Sequence, residues 1–193
     1  RYLIIGAGLA GNDAAKQLRK LAPEASVTLV GEEPHAPYDR PPLSKDFLKG
    51  KMPETKLFFD APNALAAQNI SLMTHARVSK LDLAAKVAVL ADGRTLPYDS
   101  ALLATGGRPI KLKGPGFDLP GVHYLRNLDD ARGIAGEVAP GKRAVIIGGG
   151  FIGMELAASL TELGVQATVI EDRAHIWSRF LNAELAEFFQ GHC

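Results

Sequence analysis

The sequence predicts an α/β fold with two parallel sheets, because one pattern occurs twice along the chain. Each copy is an apolar run, then G-x-G-x-x-G-x-x-x-A, then apolar residues at helical spacing. The copies begin at Tyr2 and Ala144. In each, a second apolar run follows the helical segment and ends in acidic residues, Glu32–Glu33 and Glu171–Asp172. This order of strand, glycine loop, helix and strand is typical of parallel sheets with crossover helices.

In the first copy, local signals predict a strand, a helix and a second strand. The strands are Tyr2–Ile5 and Val27–Val30, and Pro23 separates the second strand from the helix. Between them, apolar residues recur at the spacing that gives a helix one buried face: Ala14, Leu18 and Leu21.

The chain between the two copies is expected to form a small antiparallel meander inserted into the first unit. Four short runs are candidate strands: Ser71–Met73, Ala76–Leu83, Val87–Leu90 and Thr95–Tyr98. Asp92–Gly93 is a hairpin turn signal between the last two. Ala101–Ala104 is predicted as a further strand, and short helices are predicted at Leu43–Leu48 and Ala61–Gln68.

The second copy repeats the same order, with strands at Ala144–Ile147 and Ala167–Ile170. The apolar positions of its helix are Leu156, Leu160 and Leu163. Gly164 marks the expected end of that helix, and Asn182–Gln190 has a helical pattern. Lys111–Gly121 carries three glycines and two prolines, which indicates a domain boundary. The predicted limits are therefore a first domain at 1–110, a linker at 111–119 and the start of a second domain at 120–193.

Composition narrows the class of protein. The 193 residues carry a net charge of +1, so neither a nucleic-acid nor a membrane partner is expected. The single cysteine, Cys193, cannot form a disulfide within the chain, which favours a reducing, cytoplasmic location. The chain starts without Met and stops within a helical pattern, so we expect it to be the N-terminal part of a longer protein.

The glycine loops suit a dinucleotide for steric and electrostatic reasons. Gly6 permits a tight turn, Gly8 lets a pyrophosphate approach the backbone, and Gly11 lets the helix pack close to the strand. The second copy repeats these roles with Gly148, Gly150 and Gly153. Each helix N-terminus adds N–H groups and about half a positive charge. Two complete copies predict two Rossmann-like, doubly wound parallel sheets with helices on both faces.

The acids after each second strand have two interpretations. Glu32 and Glu171 are either ordinary solvated residues or the acids that hydrogen-bond the ribose of a bound dinucleotide. Their placement in both copies favours ribose recognition. A carboxylate at Glu171 would repel the 2′-phosphate of NADP by about 1 kcal/mol in water and about 4 kcal/mol at an intermediate dielectric. Arg173 and Arg179 could offset part of this repulsion, so NADH is the expected reductant.

Four further stretches carry recognisable motifs: Pro37–Lys45 (PYDRPPLSK), Ala104–Gly107 (ATGG), Tyr124–Arg126 (YLR) and Gly148–Leu156. They resemble motifs of the FAD-dependent pyridine nucleotide oxidoreductases, in the ferredoxin reductase and apoptosis-inducing factor branch. The resemblance spans the whole chain, and PPLSK is its specific part. The related disulfide reductases carry a C-x-x-x-x-C pair in that region, and its absence here argues against a thiol-reducing enzyme.

The resemblance implies FAD in the first unit, NADH in the second and a catalytic pair formed by Lys45 and Glu155. The implied FAD contacts are Gly6, Gly8, Leu9, Ala10, Gly11, Glu32, Glu33, Arg40, Lys45, Val78, Ala104, Thr105, Gly106 and Arg126. The implied NADH contacts are Gly148, Gly150, Phe151, Ile152, Gly153, Glu155 and Glu171. Phe151 resembles an aromatic residue that gates the nicotinamide pocket.

Physical chemistry supports a charged lysine near the reactive edge of a flavin, since it would stabilise the electron-rich reduced ring. A neighbouring carboxylate would keep the lysine charged and oriented. Each candidate also has an ordinary alternative. Lys45 could be a solvated lysine, Glu155 a partner of the helix dipole and Phe151 a core residue. Arg40 could be a surface arginine. Trp177 and the histidines show no ligand spacing, and no metal site is predicted.

The implied reaction passes a hydride from NADH to FAD and then single electrons to a ferredoxin-type iron–sulfur protein. Two alternatives stay open at this point: a reductase for rubredoxin or another acceptor, and a redox-sensing NADH/FAD protein like apoptosis-inducing factor. The resemblance also implies a later segment that completes the FAD domain and a C-terminal interface domain, through which a homodimer could form.

Overall fold

The computed structural model describes residues 1–192, and Cys193 lies outside them. By its internal contacts the chain divides into two compact units. The first comprises Arg1–Asp39 and Thr55–Arg108, and the second comprises Arg40–Glu54 and the chain from Pro109 onward. Among the described residues, no helix combines the length and the apolar character needed to cross a membrane.

The first unit has two helices and seven strands within its described residues: β1 (Tyr2–Ile5), α1 (Leu9–Leu21), β2 (Val27–Val30), α2 (Ala64–Ala67), β3 (Ile70–Met73), β4 (Val78–Asp82), β5 (Val87–Leu90), β6 (Thr95–Pro97) and β7 (Ser100–Leu103). The second unit contains a 3-10 helix (Pro41–Ser44), α3 (Leu128–Glu137), β8 (Arg143–Ile147), α4 (Phe151–Glu162), β9 (Gln166–Ile170) and α5 (Ala183–Gln190). A 3-10 turn over Glu54–Lys56 lies at the junction of the two ranges.

The main sheet of the first unit is parallel throughout, with strand order β3-β2-β1-β7. Ile5 is opposite Val30 on one side and Leu103 on the other. The carboxyl ends of these strands therefore reach the same edge. In open parallel sheets this is the edge at which ligands bind.

The two faces of this sheet are covered by different structures, because successive side chains of a strand point to opposite faces. Ile4 and Leu29 pack on one face with Ala15 of α1. Leu3 and Ile5 pack on the other face with residues of the meander. The predicted α/β class is confirmed, but the meander takes the place of the helices expected on this second face.

The strand Ser71–Met73 was wrongly predicted as part of the meander. Residues Ile70–Met73 form β3, which pairs in parallel with β2 and starts at the fully buried Ile70. The antiparallel meander consists of β4, β5 and β6. The helix expected at Ala61–Gln68 is only the single turn of α2, and a 3-10 helix over Pro41–Ser44 replaces the one expected at Leu43–Leu48.

The second unit is built on the parallel pair β8 and β9, which α4 connects. Ile146 and Leu160 form its core with Ile134 of α3. Helix α3 was not predicted from the sequence; it begins with a reciprocal capping box between Asn127 and Asp130. Its buried residues Leu128, Ala131 and Ile134 recur at helical spacing, and Ile134 joins the core of the second unit.

The division between the units differs from the predicted domain limits. The second unit contains Arg40–Glu54 and the chain from Pro109 onward, whereas the predicted first domain covers 1–110. Leu48 belongs to the core of the second unit, and Lys49 pairs with Glu162 of α4. The functions assigned to the two domains stay predictions.

Candidate functional site

The first glycine loop has the backbone geometry that its sequence predicts. Gly6 has φ +117°, a backbone conformation that residues other than glycine rarely adopt. A Cβ atom on Gly11 would lie 1.8 Å from the carbonyl oxygen of Gly6, whereas a Cβ atom on Gly8 would meet nothing within 4 Å. Gly8 is the N-cap residue of α1, and no side chain caps the helix. The N–H groups of Leu9 and Ala10 therefore belong to a helix start that an anion can approach.

The ATGG segment lies beside this loop. The N–H of Ala104 donates to the carbonyl of Ile5 at 2.8 Å. A Cβ atom on Gly6 would come within 2.0 Å of the carbonyl oxygen of Ala104. Thr105 and Gly106 follow and are exposed. Gly6 and Ala104, 98 positions apart in sequence, thus meet at the carboxyl edge of the sheet.

The acids after β2 have partners that sequence reasoning did not find. Glu32 accepts a hydrogen bond from Arg108 at 2.6 Å and lies 3.7 Å from the guanidinium of Arg77. Glu33 accepts from the hydroxyl of Tyr38 at 2.6 Å. Glu32 is half exposed, so its carboxylate can also meet a ribose hydroxyl. Val78 begins β4 and packs against the core between the sheet and the meander.

The second glycine loop repeats the geometry of the first. Gly148 has φ +111°, and a Cβ atom on Gly153 would lie 2.0 Å from the carbonyl oxygen of Gly148. Gly150 is the uncapped N-cap residue of α4, and a Cβ atom there would meet nothing within 4 Å. Both loops therefore have the steric form that the pyrophosphate of a dinucleotide requires.

Glu171 is hydrogen-bonded to the second glycine loop. Its carboxylate accepts from the N–H of Gly149 at 2.7 Å and from the N–H of Arg173 at 3.1 Å. The hydrogen bond from Gly149 is the main cause that lowers the pKa of Glu171. A charged carboxylate is thus held beside the loop, and its remaining lone pairs can accept from ribose hydroxyls.

Phe151 and Ile152 begin α4 and are both about half exposed. The ring of Phe151 lies 5.6 Å from that of Trp177 and 4.9 Å from that of Phe180, measured between centroids. The N–H of Trp177 donates to the carbonyl of Gly149 at 2.9 Å. Phe151 is therefore part of an aromatic group beside the glycine loop rather than of the core. Sequence spacing had left Trp177 without a function.

The two predicted catalytic side chains form an ion pair within the second unit. The ammonium nitrogen of Lys45 lies 2.7 Å from Oε2 of Glu155, although 110 positions separate the two residues in sequence. The hydroxyl of Ser44 donates to the same oxygen at 2.7 Å. Burial alone would raise the pKa of Glu155, but the hydrogen bonds from Lys45 and Ser44 and the charge of Lys45 lower it overall. The carboxylate of Glu155 is therefore ionised at neutral pH.

Arg40 and Arg126 also meet within the second unit. The guanidinium of Arg40 donates to the carbonyl oxygen of Arg126 at 2.7 Å. The N–H of Arg126 donates to Asp130 at 2.8 Å, next to the cap of α3. The resemblance assigned Arg40 to the phosphate and ribose region of FAD and Arg126 to the flavin. The two residues are thus linked, and Asp130 at the start of α3 holds Arg126.

Comparisons with known proteins agree with this geometry. The family model described as pyridine nucleotide-disulphide oxidoreductase matches residues 1–193. A probable ferredoxin reductase of Castellaniella defragrans is 39% identical over 98% of this chain and 46% of that protein. The ferredoxin–NAD(+) reductase component of the biphenyl dioxygenase system of Paraburkholderia xenovorans is 42% identical over 87% of this chain and 41% of that protein.

Among solved structures, the covalent putidaredoxin reductase–putidaredoxin complex superposes with a TM-score of 0.93. The sequences are 36% identical, and the match covers 99% of this chain and 46% of that one. The chain spans about half the length of the relatives it matches. The matches confirm the predicted fold and family. The chain belongs to the pyridine nucleotide-disulphide oxidoreductase family.

Proposed function

We propose that this chain forms the nucleotide-binding part of an NADH-dependent, FAD-containing ferredoxin reductase. The observation that carries the proposal is the pair of uncapped glycine loops, one in each unit, each with a tight Gly-to-carbonyl contact and an acid at the end of the following strand. A protein with two dinucleotide sites is suited to passing electrons from one nucleotide to the other.

The first loop fits FAD. Any side chain on Gly8 would occupy the space in front of the helix start, where the N–H groups and the helix dipole favour a pyrophosphate. Glu32 would accept from the adenosine ribose, and Arg77 and Arg108 lie within reach of its carboxylate. FAD supplies the ability to accept a hydride and to release electrons singly.

The second loop fits NADH by the same geometry. The carboxylate of Glu171 is fixed by Gly149 and stays charged. It would accept from the 2′-hydroxyl of the adenosine ribose and repel a 2′-phosphate by about 1–4 kcal/mol, depending on the local dielectric. The exposed Phe151 would contact the nicotinamide end.

The ion pair would act at the reactive edge of the flavin. Lys45 would place its positive charge there and stabilise the negative charge that develops on reduction. Glu155 would keep Lys45 protonated and hold its ammonium group in one direction, since the two atoms lie 2.7 Å apart.

The acceptor is proposed from the relatives. The named relatives are ferredoxin reductases, and the solved complex joins such a reductase to putidaredoxin. A ferredoxin-type iron–sulfur protein is therefore the expected electron acceptor. A cytoplasmic location and a homodimer stay predictions that rest on the single cysteine and on the family resemblance.

The test uses the intact protein that carries this chain, reconstituted with FAD. NADH added without oxygen should bleach the flavin absorbance, and added ferredoxin should then be reduced in repeated turnovers. A protein that does not retain FAD, or that stays yellow with NADH, would refute the proposal. Faster electron transfer to rubredoxin than to ferredoxin would show that rubredoxin is the acceptor instead. Slow reduction followed by altered dimerisation would favour the redox-sensing alternative.

A further inference from the structure

We propose that Ser44 is a positioning residue for the ion pair: its hydroxyl group orients the carboxylate of Glu155 toward Lys45. The inference deepens the proposed function and rests on it for the role of the pair. The contact itself can be tested independently of any reaction.

The first observation is that two consecutive residues converge on one atom. Ser44 Oγ and Lys45 Nζ each lie 2.7 Å from Oε2 of Glu155. The hydroxyl of Ser44 also lies 3.4 Å from the carbonyl oxygen of Pro41. A hydroxyl has one proton to donate, and the shorter bond to a charged acceptor is the stronger one. The hydroxyl of Ser44 therefore donates to Glu155.

The second observation is how the backbone of Ser44 is held. The hydroxyl of Ser159 donates to the carbonyl oxygen of Ser44 at 2.7 Å. Further along, Lys49 donates to Glu162 at 2.9 Å. Glu155, Ser159 and Glu162 are spaced four and three residues apart, so they lie on one face of α4. This face anchors the segment that carries the lysine.

The third observation is the contrast in exposure. Ser44 is only 4% exposed, whereas the side chains of Lys45 and Glu155 are 43% and 32% exposed. A half-exposed ion pair can exchange its partner for water. The buried hydroxyl cannot, because it would be left without an acceptor of similar strength. The hydroxyl of Ser44 is thus the fixed donor that keeps Glu155 in the orientation that meets Lys45.

The test compares two matched substitutions in the intact protein, Ser44→Ala and Ser159→Ala. Both serines are 4% exposed, each donates one hydrogen bond of 2.7 Å across the same contact, and each substitution removes one oxygen. Of the two serines, only Ser44 contacts the carboxylate of Glu155. A general packing defect would therefore affect both variants alike.

The first readout is the thermal unfolding midpoint of the protein without substrate. Ser44→Ala should lower it by about 3 °C or more in the wild-type background. In a Glu155→Ala background, Ser44→Ala should not lower the midpoint further, because the hydroxyl no longer has a carboxylate acceptor. Ser159→Ala should keep most of its effect on the midpoint in the Glu155→Ala background, because its acceptor is the backbone carbonyl of Ser44 and not the carboxylate.

The second readout is the rate of flavin reduction at saturating NADH. Ser44→Ala should slow it about five- to tenfold with an unchanged dissociation constant for NADH, as expected for a lost orienting contact. Ser159→Ala removes a bond to the backbone of Ser44 but leaves both partners of the Glu155 carboxylate in place, so it should slow flavin reduction less than Ser44→Ala does. Ser44→Ala should add nothing in the Glu155→Ala background.

The inference would be overturned if the two serine variants slowed flavin reduction equally. It would also be overturned if Ser44→Ala lowered the unfolding midpoint equally in the wild-type and Glu155→Ala backgrounds. A protein whose flavin NADH does not reduce would refute the proposed function instead. In that case the unfolding midpoints would still decide whether Ser44 positions Glu155.

Discussion

Replacement of Gly11 by alanine should weaken FAD binding more than it lowers the stability of the rest of the protein. The added Cβ atom would lie 1.8 Å from the carbonyl oxygen of Gly6 and 3.2 Å from a methyl group of Leu29. Real Cβ contacts essentially never fall below 3.0 Å, so α1 must move away from β1 by more than an ångström.

That movement displaces the helix start and the loop that would hold the pyrophosphate. Overpacking of this kind costs about 1–3 kcal/mol. If most of that cost falls on the bound form of the loop, the dissociation constant for FAD rises about tenfold for each 1.4 kcal/mol. We therefore expect Gly11→Ala protein to lose about nine-tenths or more of its FAD affinity.

The assay is a titration of the apoprotein with FAD, followed by quenching of flavin fluorescence, with NADH binding measured in parallel. The matched control is Gly136→Ala within α3, where a Cβ atom would meet nothing within 4 Å. That substitution should raise the free energy of unfolding by about 0.5–1 kcal/mol and leave FAD affinity unchanged. Wild-type FAD affinity in Gly11→Ala protein would refute the steric reasoning.

Three further predictions concern the second unit. Lys45→Ala should slow flavin reduction by NADH at least about tenfold without loss of FAD, whereas Lys51→Ala, on the same segment, should not; equal stopped-flow rates in both would count against a role for Lys45. Glu171→Ala should reduce the preference for NADH over NADPH by about tenfold or more in kcat/KM, and an unchanged ratio would show that the carboxylate does not select the nucleotide. The lowered pKa of Glu155 means that its contribution to stability is complete above its ordinary value of 4.5 and disappears as the pH falls through the lower folded value; the unfolding midpoints of wild type and Glu155→Gln should therefore differ at pH 6 and converge in acid, and a constant difference would contradict this.

Local patterns were enough to predict the nucleotide loops. The positive φ of Gly6 and Gly148, and the close approach of Gly11 and Gly153 to carbonyl oxygens, are requirements of a few neighbouring residues. The strands β1, β2 and β5 also start and end where their apolar runs do. These features depend on short-range sterics and on side-chain periodicity, which a sequence displays directly.

Strand partners could not be predicted in the same way. Ile70–Met73 has the composition of either an edge strand or a meander strand, and only its pairing with Val27–Val30 shows which it is. Helix α3 has a capping box and apolar residues at helical spacing, but it is only ten residues long. Tertiary contacts, such as those of Ile134 with the core of the second unit, therefore stabilise it. In both cases the deciding interactions join residues that are distant in sequence.

The candidate site shows the same division. The two glycine loops and their helices follow from local sequence, because the need for glycine and for an apolar period involves only neighbouring residues. The place of the segment from Arg40 to Glu54 in the second unit, and the contact of Ser44 with Glu155, 111 residues away, depend on packing between distant parts of the chain. A hydrogen bond between distant residues leaves no trace in local spacing, since it exists only after packing has brought the helix face and the segment together.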